Sequence, residues 1–442
     1  MAWSVVIAGG GFGGFNAACR LERALPPNSA RITLVNDVNF LLYSPLLPGA
    51  AGGSLEPRHV VVPLREELGQ TDLRLGRVVG AAPERNCVSL RTHEGHDEEL
   101  RYDHLIVALG SVARTLPVPG LAEHGVGFKT LSDAIALRNR LLNSLEAAET
   151  LESSQERAAY LTYVFVGGGY AGLEGLAELH DFCASIIDLY PRCRLEGTRW
   201  VLVEAKERVM LEVQPDLAEF ATRELRSRGI EFRTETTVEE VTERSVRLST
   251  GEQIPTRTLV WTAGVRPHPS VETLGLPLVR GRISVDRYMQ VEGHENVWAV
   301  GDAAAVPDPA KKGQPCPPTA QHAIRQGRTV ARNVAAALGS GRKRPFRYRT
   351  LGVFVDLGRH QAVASTLGIK WRGLPAWFLA RTYHMAQMPG FKRKVRLAAD
   401  WTVDSFFGRA AAELGQIGHP AGLEGHSVGG TGAPSASTDR AP

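Results

Sequence analysis

Two glycine-rich loops, each set between an apolar run and a helical stretch, restrict this chain more than any other feature. Residues 9–14 read GGGFGG after Val5-Val6-Ile7, and residues 167–174 read GGGYAGLE after Tyr163-Val164-Phe165-Val166. Both carry G-x-G-x-x-G spacing, with Gly9, Gly11 and Gly14 in one and Gly167, Gly169 and Gly172 in the other. In a βαβ unit the first glycine permits the tight turn, the second lets backbone approach a pyrophosphate, and the third lets the helix pack closely. The free N–H groups of the helix that follows then face the phosphates. One such loop is a weak signal. Two predict an α/β fold with two Rossmann-like dinucleotide-binding domains. Phe12, Gly13 and Tyr170 belong to the same turns and join the candidates for cofactor binding.

The rest of the chain fits around these units. A strand is expected at Arg31–Val35, hairpins over 74–103 with a turn at Glu94-Gly95, and a strand at Leu105–Ala108 closed by Leu109-Gly110-Ser111. Residues 40–65 are rich in Pro and Gly and read as loop and short helix crossing an active face. Ser132 is expected to begin one long helix to about Arg157. The second loop opens a helix to about Leu189, a strand at Trp200–Val203 and a helix over 215–228 that stops at Gly229. Strands are expected at Thr258–Thr262 and at Val297–Val300. The latter ends in Gly301-Asp302, and Pro317-Pro318-Thr319 then caps a helix to about Leu338. That last pair has no strand order of its own, so it is read as returning to the first domain. The expected domains are 1–118 with 290–345 for FAD, an inserted 119–289 for NAD(H), 346–414 for membrane association or dimerisation, and a disordered tail over 415–442.

An acid after the second strand of a dinucleotide unit binds the adenosine ribose and repels a 2′-phosphate. Glu204 holds that position in the second unit and favours NADH, with Lys206 and Arg208 nearby. In the first unit the position is Asn36, with Asp37 next to it. Two sites in one chain imply a resident flavin, FAD, in the first, and NADH presented to it by the second. Hydride then moves over a short distance between stacked rings.

Composition excludes several classes. A net charge of +4 over 442 residues does not suggest a nucleic-acid partner. The five cysteines are odd in number with no C-x-x-C pair, which points to a reducing compartment and against a dithiol reductase. The N-terminus has no signal-like apolar core, and no run is long enough to span a bilayer, so proton pumping is not expected. The stretch His93 to Glu98 reads as a polar hairpin tip and not a metal site, and no metal is expected.

The chain resembles the type II NADH:quinone oxidoreductases, among flavoproteins with two dinucleotide-binding domains. The resemblance covers about residues 3–410 and rests on GGGFGG, NFLLYSPLLPGAAGGSLEP, FKTLSDA, GGGYAGLE, LVEA, VWTAGVRP, AVGDAA and PPTAQHAIRQG in the family's order. It implies that Asp302, after Gly301, binds the ribityl chain. Thr319, Ala320 and Gln321 would face the flavin N1–C2=O edge. Glu174 would sit near nicotinamide and flavin as a positioning or proton-relaying group. Gln321 falls at the quinone side, where the family's later pair of glutamines is here Arg325-Gln326. Gly264 and Val265 resemble a loop over the nicotinamide, and Pro45 and Leu46 one beside the isoalloxazine. Ala108 and Gly110 complete the cofactor contacts, and Lys129 stands in a family-like place with no assigned role.

Residues 370–409 mix aromatic and basic side chains. Two helices are expected at about 375–388 and 393–408, broken by Pro389-Gly390. On the second, Arg396, Asp400 and Asp404 share one face while Ala399, Val403 and Phe406 lie on another. Such helices suit an anionic membrane surface, with a dimer contact as the alternative; a cytoplasmic homodimer is expected, with the inner face of the cell membrane as the surface these helices could meet. Other functions remain open at this point: a soluble reductase of a small iron–sulfur protein, a sulfide:quinone oxidoreductase for which only Cys316 is a candidate thiol, and a redox sensor.

Overall fold

The computed structural model describes residues 2–311, 313–348 and 352–413; the glycine- and serine-rich tail lies outside them. The first sheet has seven strands, in the order Val297–Ala299, His104–Val107, Trp3–Ala8, Ala30–Asn36, Thr71–Ala82, Cys87–Thr92 and Asp97–Arg101. The first five run parallel, and the last two continue as an antiparallel hairpin. Val5 to Ala8 are buried on both faces. That double burial explains an unbroken apolar run where a half-exposed strand would alternate.

The chain leaves this sheet after Val107 and returns to its edge at Val297. Between them a second parallel sheet forms, in the order Gly125–Gly127, Thr258–Trp261, Thr162–Val166, Arg199–Val203 and Ile230–Arg233. The outgoing and returning connections pair with each other, Ser111–Ala113 antiparallel to Val265–Pro267.

Two expectations need correction. The long helix from Ser132 is two helices, Leu131–Thr150 and Ser154–Tyr160. The first starts one residue earlier on a capping box, with Thr130 and Asp133 each accepting the other's backbone N–H. It ends because Ser153 caps a new helix through the Glu156 N–H, and because Arg157 Nη1 donates to the carbonyls of Leu151 and Glu152. Local side-chain bonding of this kind competes with helix continuation. The second correction is a three-stranded antiparallel sheet, Gly352–Asp356, Ala362–Thr366 and Ile369–Arg372, in a region read as helical only.

The last two helices are Leu374–Gln387 and Phe391–Phe406, separated at Pro389 and Gly390. In the second of these, the face toward the body carries Arg393, Leu397 and Asp400. Arg393 pairs with Glu66 at 3.2 Å and contacts Glu67, and Asp400 meets His59 Nδ1 at 2.6 Å. Arg396 lies at i, i+4, i+8 spacing with Asp400 and Asp404 in this helix and is exposed. A separate apolar stripe is turned outward, with Phe391 81%, Val403 55% and Phe406 80% exposed.

Candidate functional site

The two loops are near copies in geometry. Gly9 and Gly167 have φ of +106° and +110°, a region that side chains disfavour. A Cβ on Gly14 would lie 1.8 Å from the Gly9 carbonyl oxygen, and one on Gly172 would lie 2.0 Å from that of Gly167. The third glycine is therefore required by the loop's own first carbonyl. Gly11 and Gly169 face open space at the N-termini of helices Phe12–Ala24 and Tyr170–Ile186. Neither helix has a side-chain cap there. Open backbone donors beside a Cβ-free surface fit a pyrophosphate at each loop, so the residues present suit two dinucleotides.

The residues ending the second strand of each unit act alike. Asn36 Oδ1 accepts the Gly10 N–H at 2.8 Å, and Glu204 Oε2 accepts the Gly168 N–H at 2.6 Å. Glu204 Oε1 takes the Lys206 N–H at 2.9 Å. Arg208 points away from this carboxylate's work: its guanidinium donates to the carbonyls of Val209, Met210, Leu211 and Val213. Asp37 is exposed beside Asn36.

Other expected residues gather between the sheets. Gly301, with φ +72°, donates its N–H to Gln326 Oε1 at 2.7 Å. Asp302 Oδ2 accepts from Ser111 Oγ at 2.6 Å, and Lys129 Nζ reaches the same hydroxyl at 3.2 Å. Lys129 thus acquires a place, one hydroxyl away from Asp302. Thr319 caps helix Ala320–Ala337 by accepting the His322 N–H. Gln321 donates to the Gly352 carbonyl at 3.3 Å and accepts from the Tyr348 hydroxyl, and Arg325 stacks over the Tyr348 ring at 4.3 Å. Ala108 closes over Gly9, since a Cβ there would lie 2.4 Å from the Ala108 oxygen. The Gly110 carbonyl accepts from His268 N, and Gly264 and Val265 lie at the crossing between the domains. Phe12 packs edge-on to Tyr43, with ring centroids 5.6 Å apart.

Glu174 sits one turn into its helix and accepts the backbone N–H of Asp356 at 3.0 Å. Burial pushes its carboxyl up to about 8; the Asp356 N–H opposes this, and the carboxylates of Asp356 and Glu178 add to it. A group that changes protonation near neutrality in a cleft suits proton handling. Beside it lies an interior cavity lined by Pro45, Leu46, Glu174, Glu178, Asp356, Arg381 and His384, among others. Burial holds His384 neutral, its imidazole lowered to about 4. Cys316 is buried with its thiol pushed up to about 12, chiefly by burial, so it behaves as a packing residue.

Sequence reasoning missed Glu178, Asp181, Asp356, Arg381 and Arg409. A signal for the first two was available. Glu174, Glu178 and Asp181 follow i, i+4, i+7 spacing in a helix that is otherwise apolar nearly all round. Asp356, Arg381 and Arg409 come from elements whose packing partners no local pattern specifies.

Comparison with known proteins follows the same lines. The profile of the pyridine nucleotide-disulphide oxidoreductase family matches residues 3–327. The demethylphylloquinone reductase of Synechocystis is 32% identical over 409 residues, covering 90% of this chain and 95% of that protein. A type II NADH:quinone oxidoreductase of Mycobacterium tuberculosis is 30% identical over 419 residues, covering 90% of this chain and 87% of its own. Among solved structures, the NDH2 of Plasmodium falciparum in complex with NADH superposes with a TM-score of 0.86 at 18% identity, over 93% of this chain and 100% of that one. That last likeness speaks to the fold.

Proposed function

The chain belongs to the pyridine nucleotide-disulphide oxidoreductase family, among its type II NADH:quinone oxidoreductases, and from that premise we propose how its residues divide the work of an FAD-dependent NADH:quinone oxidoreductase. FAD, when bound, supplies the redox chemistry, taking hydride from NADH and passing two electrons to a quinone. The protein binds, orients and handles protons. The loop at Gly9, Gly11 and Gly14 holds the FAD pyrophosphate, and Asn36 steadies that loop through Gly10. The loop at Gly167, Gly169 and Gly172 holds NADH. Glu204 accepts from its ribose hydroxyls and disfavours a 2′-phosphate, while the Arg208 donors are already engaged by four carbonyls.

Asp302 binds the polyhydroxyl chain, a role supported by the bond from Ser111 that orients its carboxylate. The N-terminus of helix Ala320–Ala337, capped by Thr319, carries about +0.5 charge and stabilises negative charge developing nearby. Gln321, held by Tyr348 and Gly352, marks the quinone side. Glu174 keeps a proton at its carboxyl close to neutral pH. The observation that carries the reading is the repeated loop: two dinucleotide cradles of one geometry in one chain.

The same reading extends to a surface. No helix among the described residues is long and apolar enough to cross a membrane. Helix Phe391–Phe406 nonetheless shows its apolar stripe to solvent, with exposed Lys392 and Arg396 beside it. Exposed apolar stripes with basic flanks suit an anionic bilayer, where a quinone also resides. We read this face as a peripheral membrane contact on the inner face of the cell membrane. A homodimer that buries the same face is the competing arrangement.

Steady-state turnover tests the function. NADH oxidation that depends on a soluble quinone, falls at least tenfold with NADPH, and does not respond to a small iron–sulfur protein fits it. Quinone-independent turnover through the iron–sulfur acceptor would replace it with the soluble-reductase reading.

A further inference from the structure

Reducing a quinone with NADH consumes one proton from solvent, because NADH + H⁺ + quinone gives NAD⁺ + quinol. Two spaces in this structure meet at the acidic face of helix Tyr170–Ile186. The inner one has a volume of ≈ 40 Å³ and is lined by Glu174, Asp356 and His384. The outer one is a cleft of ≈ 340 Å³, reached past Asp181, Arg359 and Asp404. Glu178 and Arg381 line both. The inner space admits water, which needs ~10–15 Å³, and is far below the ~300 Å³ of a small-ligand pocket. It suits proton passage and excludes a quinone ring.

Resting on the quinone-reductase reading, we propose that Glu178 is the proton gate of the acceptor half-reaction, taking a proton from the outer cleft and handing it across the inner cavity to Glu174 and Asp356. Each handover breaks one carboxyl O–H bond and forms another. The last forms an O–H bond on the quinone oxygen as the two electrons arrive, and the cleft reprotonates Glu178. Glu178 is 4% exposed, and its Oε2 is 3.2 Å from Arg409 Nη1 and 3.5 Å from Ser54 Oγ. Facing it are Glu174 and Asp181 from its own helix, Asp356 from the C-terminal sheet, Arg381 from helix Leu374–Gln387, and Arg409. Burial raises the carboxyl, Arg409 and Arg381 lower it, and Asp356 and Asp181 raise it; the net direction is upward, toward neutrality. Arg381 Nε and Nη1 are buried with no partner among the described residues, so they are donors for water between the two spaces. The guanidinium is fixed by stacking at 3.9 Å over Trp377 and 4.9 Å over Trp401. Glu178 acts through Glu174 and Asp356, so it is a relay and positioning residue.

The test uses holoenzyme in anaerobic stopped flow, with a soluble short-chain quinone, in H₂O and D₂O, for wild type, Glu178→Gln and Glu178→Asp. The expected result is a solvent isotope effect on wild-type flavin reoxidation. Glu178→Gln should slow that step about tenfold and leave flavin reduction by NADH within about twofold; Glu178→Asp should restore much of the rate. Of the carboxylic C=O infrared bands that titrate near neutral pH, one should be lost in Glu178→Gln while that of Glu174 remains, without any turnover. An unchanged reoxidation rate in a folded Glu178→Gln protein overturns the gate. Should that variant not fold, absence of a wild-type isotope effect overturns it. If quinone fails to reoxidise wild type at all, the acceptor reading fails instead, a separable outcome.

Discussion

The Glu174 carboxylate and the Asp356 backbone N–H are hydrogen-bonded at 3.0 Å. This bond ties the start of the second-loop helix to the C-terminal sheet, so the buried acid is held by a segment 182 residues away. Its raised carboxyl has a consequence for stability. Unfolded, the group releases its proton near 4.5; folded, near 8. Across that window the native state holds more protons, so stability falls as pH rises, by at most about 1.4 kcal/mol per pH unit. Below the window both states are protonated and the effect is absent. Glu174→Gln, which keeps an acceptor for the Asp356 N–H, should gain melting temperature over wild type progressively from pH 5 to pH 8. A constant difference across that range would remove the buried acid from the account.

The loops separate by substitution. Gly14→Ala places a methyl 1.8 Å from the Gly9 oxygen, and Gly172→Ala places one 2.0 Å from the Gly167 oxygen. Gly14→Ala should purify colourless, without flavin. Gly172→Ala should stay yellow yet need much more NADH for reduction. Absorbance at the flavin band and an NADH titration read both; the reverse pattern would exchange the two sites.

Glu204→Ala removes charge-assisted bonds to a ribose, a loss of about 1.5–3 kcal/mol and hence roughly 10–100-fold in NADH affinity. NADPH should be affected far less, so the ratio of kcat/KM for the two nucleotides narrows. An unchanged ratio would place the ribose elsewhere.

Much of this was legible in the sequence because the information is local. A strand buried on both faces reads as an apolar run, and a left-handed turn reads as glycine. Thr319 as a cap and Asn36 and Glu204 as strand-end residues follow the same logic. What was not legible depends on distant packing. The break at Leu151 is made by Arg157 reaching back to two carbonyls, and the 352–372 sheet lies in a segment whose β-turn at Leu367-Gly368 is a weak marker beside its aromatic and basic neighbours. Arg381 and Asp356 gain meaning only once the C-terminal region folds over the helix that bears Glu174.

The outward stripe of helix Phe391–Phe406 makes its own forecast. Wild type should co-sediment with vesicles of anionic phospholipid, and Phe391→Ser with Phe406→Ser should release it while quinone turnover in detergent persists. If wild type ignores vesicles and the double variant converts a dimer to monomers in analytical ultracentrifugation, the stripe is a subunit interface.

The most direct measurement is anaerobic. NADH is added to the purified yellow protein, the flavin absorbance is followed, and a soluble quinone is then introduced. Rapid bleaching and rapid recovery are the predicted result. Protein that bleaches and is not reoxidised by quinone, or that does not bleach at all, would contradict the account of two dinucleotide cradles serving one transfer from NADH to quinone.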